Sequence, residues 1–131
     1  MVTNDLALIK RTSRSFDDAV AETRQQLAGQ GFGILSEIDV SAALKKRLDV
    51  DYQRTLILGA CNPPFAYQAL SAVPDIAVLL PCNVVIRETI GGEVEVVAIN
   101  TATMGQMIQH PAVLEVAHQV DIRLRQALAA V

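Results

Sequence analysis

The chain contains two cysteines, and an asparagine follows each: Cys61-Asn62 and Cys82-Asn83. Prolines flank both pairs, Pro63-Pro64 after the first and Pro81 before the second. A thiolate is a nucleophile and a soft ligand, and a carboxamide supplies two donors and an acceptor, so each pair joins a reactive group to a polar recognition group. Cys61 closes an apolar, β-like run and precedes a helix start, where free N–H groups and the helix dipole favour a thiolate. The plainer reading makes it a small buried hydrophobe at a strand end. Cys82 is hemmed by Leu79, Leu80 and Val84, so desolvation should raise its pKa. If the two strands are antiparallel neighbours, both thiols lie at one end of the sheet, and a disulfide would need Cα atoms within about 7 Å.

Other chemistry is thinner. Met104, Met107 and His110 stand at helical spacing and have the donor types that suit Cu(I), but methionines at that spacing usually fill cores. No Cys-x-x-Cys pair marks a zinc site, and no metal is expected. There is no P-loop, no Gly-x-Gly-x-x-Gly fingerprint and no Ser-His-Asp order. Glu37 and Asp39 read as a solvent-facing and a capping residue, and Lys45-Lys46-Arg47 as a helix end complementing its own dipole.

Composition bounds what these residues can serve. The chain has 131 residues, enough for one domain with a real core, so 1–131 is read as a single domain. With 51% hydrophobic and 4% aromatic residues, that core must be aliphatic. Eleven basic against 14 acidic residues give no electrostatic footprint for nucleic acid or an anionic membrane. The longest apolar run, Ile76 to Ile86, is broken by Pro81 and Asn83 and is too short to span a bilayer. The start lacks the pattern of a signal peptide, so a cytoplasmic protein with free thiols is expected.

The elements that must position the cysteines follow from periodicity. Residues 6–12 read as a first strand, then Ser15 caps a helix with Phe16, Val20, Thr23 and Leu27 on its buried stripe. Phe32, Ile34 and Ile38 mark one face of a second strand, with Leu35 and Glu37 on the other. A short helix over 40–48, capped by Asp39, leads to a third strand at 54–61. Asn62 is expected to cap a helix whose first positions are Pro63-Pro64. Strands at 82–90 and 93–99 are joined by Gly91-Gly92, which predicts a type I′ hairpin with positive φ at both glycines. A connection with helical tendency covers 100–109. From His110-Pro111 a last helix buries Val113, Val116, Ala117, Val120, Leu124 and Leu128. This predicts an α+β fold: a mostly antiparallel five-stranded sheet with helices on one face.

Three blocks, Gly33 to Val40, Leu58 to Pro63 and Leu79 to Val85, carry a resemblance over nearly the whole chain. On them the sequence resembles the family catalogued as domain of unknown function 302. The resemblance implies a two-layer domain of the TATA-binding-protein-like type, in order β-α-β-β-β-β-α, with the helices at 40–48 and 63–73 as insertions. It marks Cys61, Asn62, Cys82 and Asn83 without giving them a catalytic role, and it names no cofactor.

The expectation is a non-catalytic, homodimeric module that binds a small ligand where Cys61-Asn62 and Cys82-Asn83 face each other, the α-helix start receiving any negative group. A thiol-dependent redox enzyme or sensor using Cys61 with Cys82, and a purely structural or interaction domain, are the alternatives. The homodimer is expected because the strands carry apolar residues on both faces, which would leave one apolar face open on a monomer.

Overall fold

Six strands form one antiparallel sheet in the computed structural model, which describes residues 1–131. Their spatial order is β1 (Val2–Thr3), β2 (Ala7–Thr12), β6 (Val94–Ile99), β5 (Cys82–Glu88), β4 (Thr55–Cys61) and β3 (Gly33–Asp39). The sixth strand beyond the five expected is the two-residue β1, too short to show a period of its own. It forms because Asn4 turns the chain: its Oδ1 accepts from the Leu6 and Ala7 amides at 2.9 and 2.8 Å.

On one face lie α1 (Phe16–Gly29) and α5 (Pro111–Ala129), packed on each other and on the sheet. Ser15 accepts from the Asp18 amide, and Asp17 and Asp18 occupy the first turn, so the start of α1 is capped and charged as its dipole requires. The stripe of α5 is the expected one, from Val113 to Leu128. β2 holds the end of the chain: Lys10 Nζ donates to the Ala129 oxygen at the end of α5, and Thr12 Oγ1 to that of Val131 beyond it. Leu8, Leu58, Val84, Ile86 and Val96 meet these helices from the sheet and are fully buried.

Three insertions decorate the connections. α2 (Val40–Leu48) is capped by Asp39, packs chiefly against β4 and buries none of its residues. Backbone and hydroxyl hydrogen bonds from Ala42 and Ser41 hold the Asp39 carboxyl below its ordinary range. α3 (Pro63–Ala72) and a 3-10 helix (Pro74–Leu79) follow β4, and α4 (Thr101–Ile108) follows β6. α3 and α4 both lie against α5.

Two local expectations need correction. A bulge between Ile34 and Ser36 adds one residue to β3, so the strand changes phase. Ile34 faces the helix layer opposite Ala60, whereas Ile38, opposite Ile57, points to the other face and is 50% exposed. The β5–β6 turn is also not a two-residue type I′ turn. The Thr89 amide donates to the Glu93 carbonyl, the Gly92 amide to that of Thr89, and only Gly92 has positive φ, 82°. This is a three-residue loop, a turn over Thr89–Gly92 whose last residue, Gly92, is left-handed, a common alternative where a hairpin carries a glycine.

Candidate functional site

Both cysteines lie at the end of the sheet where β4 stops and β5 begins. The strands are antiparallel neighbours, and the register sets Cys82 opposite Ala60, one residue before Cys61. Cys82 is buried on the helix face, and Cys61 is half-buried. Burial pushes the Cys82 thiol up to about 11, with charge on the nearby Cys61 adding to the rise. The expected effect of apolar neighbours on Cys82 is therefore present.

Cys61, Asn62 and Cys82 line a common cavity of about 40 Å³ between the strand ends and α3, α4 and α5. Fourteen of its sixteen lining residues are hydrophobic, among them Phe32, Phe65 and Met104, so it offers almost nothing to a polar group. At about one water-sized sphere per 10–15 Å³, it has room for the end of an alkyl chain and not for a whole ligand.

Asn62 occupies the N-cap position of α3 but does not cap with its side chain. Pro64, at the second helical position, carries no N–H, so of the two amides that a cap can satisfy only that of Phe65 remains. The amide instead turns back, and Nδ2 donates to the Gln30 carbonyl at 3.1 Å. Gly31, at φ 86°, lets it fit: a Cβ there would lie 3.2 Å from Asn62 Nδ2. Of the first three residues of α3, only Phe65 keeps an N–H that a negative group could meet.

Asn83 is not part of this cavity. It is exposed on the opposite face of the sheet, in register with Gly59. The space over Gly59 is filled, since a Cβ would stand 2.2 Å from Ser36 Oγ and 2.8 Å from the Pro81 ring. The structure thus brings together three of the four marked residues and sets the fourth apart. The methionine–histidine set does not converge either: Met104 is buried, Met107 is 73% exposed, and His110 Nδ1 accepts from the Ala112 amide as the cap of α5. No group of three His, Cys, Asp or Glu side chains is placed to hold a metal ion. No helix is long and apolar enough to cross a membrane.

Periodicity did not point to a second feature. Asn62 and Phe65 also border an open groove of about 670 Å³, whose other walls include Gln30, Ile122, Arg123 and Gln126. The Arg123 guanidinium lies over the Phe65 ring, 4.8 Å from its centroid, and Nη1 donates to Gln119 Oε1 at 3.2 Å. The groove is polar and carries a cation, the cavity is apolar, and Asn62 with Phe65 forms the wall common to both.

A helix-covered antiparallel sheet with insertions after β3 and β4 defines a class of small α+β domains. The family described as Domain of unknown function DUF302 matches residues 9–131, and the chain belongs to it. Among solved structures, the chain is similar to the crystal structure of an uncharacterized conserved DUF302 protein from Bacillus stearothermophilus. The two share 23% identity, with a TM-score of 0.88 over 95% of this chain and 96% of that one, a likeness of fold. No curated protein matches the chain.

Proposed function

We propose that the protein is a non-catalytic module that binds a small ligand at the Cys61–Asn62–Cys82 end of the sheet and works as a homodimer. The observation that carries the reading is the shared wall. An apolar cavity too small for a whole ligand adjoins a larger groove with a guanidinium, across Asn62 and Phe65. That arrangement fits a small amphiphile with an anionic head. Its head pairs with Arg123 and the amides of Gln30 and Gln126, and its alkyl end passes Phe65 toward Cys61 and Cys82. A guanidinium suits a carboxylate because its fork donates two parallel hydrogen bonds.

The homodimer is supported by the sheet face opposite the helices, where one row of apolar residues crosses all six strands. Ligand binding is tested by NMR titration with hexanoate, hexanol and hexylammonium. Hexanoate should bind with shifts at Phe65, Met104 and Cys82, hexanol more weakly, and hexylammonium not at all. Arg123→Gln should weaken hexanoate by roughly tenfold, the scale of one charge-assisted pair, and leave hexanol unchanged. No shift at the cavity residues with any of the three would overturn the ligand reading.

A further inference from the structure

The sheet face away from the helices is ordered in rows that the strand register makes explicit. One row runs Val2, Ile9, Val97, Val85, Ile57 and Ile38 across β1, β2, β6, β5, β4 and β3, apolar at every strand. Its two ends, Val2 and Ile38, are 66% and 50% exposed. The next row toward the hairpin is Arg11, Glu95, Arg87 and Thr55 on β2, β6, β5 and β4. Glu95 sits between two cations: Arg87 Nη2 is 3.1 Å and Arg11 Nη2 is 3.7 Å from its carboxylate oxygens. The row on the other side, Ala7, Ile99, Asn83, Gly59 and Ser36, carries no charge.

We infer that two copies of the chain pack these faces together about a two-fold axis that runs along the strands between β5 and β6. The inference rests on the homodimer reading above and adds the surface and its geometry. The charged row and the strand order together decide the axis: the row changes sign at β2–β6 and at β5–β6, and only the second boundary has three strands on each side, so that every strand is covered. A two-fold along the strands at that boundary places each strand over its mirror position: β5 over the partner's β6, β4 over its β2, and β3 over its β1. Arg87 of one copy then meets Glu95 of the partner subunit, and Glu95 meets Arg87 of the partner subunit, closing an alternating square of four charges. In the apolar row the same operation sets Val85 over the partner's Val97, Ile57 over the partner's Ile9 and Ile38 over the partner's Val2. A two-fold along the rows would instead lay Arg11, Glu95 and Arg87 on the partner's Ala7, Ile99 and Asn83, leaving the cations without a partner across the interface.

The size is adequate. Six strands about 4.8 Å apart, over three same-face rows about 6.7 Å apart, give a footprint on the order of 500–600 Å² before side-chain relief is added. A stable interface buries about 800 Å² of accessible surface per partner. Sheets stacked in this way cross at about 30°, so the closest matches lie beside the axis, where Val85, Val97, Arg87 and Glu95 are.

Sedimentation velocity with charge-reversed variants tests it. The parent chain should sediment as a dimer. Val85→Arg, and the half-exposed Ile38→Arg, which leaves the helix-side core untouched, should raise the dimer dissociation constant on the order of 100-fold, as an unpaired buried charge does. Val78→Arg, on the 3-10 helix, should leave it unchanged. Arg87→Glu and Glu95→Arg should each be monomeric alone, through like charges across the axis. Mixed in equal amounts they should form a heterodimer, since every cross-axis pair is then complementary. A monomeric parent overturns the homodimer reading and the geometry together. A dimer indifferent to Val85→Arg and Ile38→Arg keeps the homodimer and overturns this face. A dimer broken by those two, with no heterodimer from the charge-reversed mixture, keeps the face and overturns the axis.

Discussion

At the scale of single residues, packing rather than reactivity governs the marked positions. Cys82 loses hydration inside the core, so its neutral thiol is favoured in the folded state, and its pKa rises from 9.0 to about 11. A group whose folded pKa is raised contributes stability that is complete below the unfolded value and is lost as pH rises through the folded one. The parent should therefore lose roughly 2 to 3 kcal/mol between about pH 9 and pH 11, relative to Cys82→Ala, in which that slope is absent. Denaturant titrations of both proteins across this range check it, and parallel pH profiles would refute it. Alkylation with peptide mapping should label Cys61 well before Cys82 at neutral pH. Gly59 makes a sharper demand. Ser36 and Pro81 occupy the place of its missing side chain. Gly59→Ala should cost about 1–3 kcal/mol by overpacking, and Gly59→Ala with Ser36→Gly should recover part of it; an unchanged midpoint for the single variant would show that the two residues yield freely.

At the scale of elements, glycine conformation separates two neighbours that look alike in sequence. Gly92 has φ 82° and open space around its Cα, while Gly91 has no positive φ. Gly92→Ala should lower stability by about 1 kcal/mol through backbone strain alone, and Gly91→Ala should be nearly neutral. Equal losses at both positions in thermal melts would restore the two-residue turn. The difference shows what the sequence could carry. Alternation placed β4, β5 and β6, and the 3.6 period placed α1 and α5, because these elements bury one face against a core. The bulge at Leu35 left no such trace, since one inserted residue reverses the face of Glu37 and Ile38 without altering composition. For Asn62, residue type predicted the cap position correctly and the bond incorrectly. Pro64 removes one of the two amides a cap can satisfy, and the side chain instead donates to the Gln30 carbonyl, which is 32 residues away in sequence. Arg123 and Phe65 were not legible as a pair, because only the packing of α3 on α5 brings them together.

At the scale of the whole molecule, the two sheet faces divide the work. One is covered by α1 and α5 and holds the apolar cavity at its cysteine end, beside α3. The other carries the apolar row and the charged row, exposed at Val2, Ile38 and Arg11 and already buried at Val97 and Glu95. Ligand and partner would then approach from opposite sides of one sheet, so dimer formation leaves the groove at Arg123 open. Native mass spectrometry of the protein purified from its own host tests the ligand claim most directly, because it reports copy number and any retained small molecule together. The account predicts a mass of two chains carrying a small anionic amphiphile, with that adduct depleted in Arg123→Gln while the dimer persists. Bare chains at every collision energy, indistinguishable between the parent and Arg123→Gln, would contradict it.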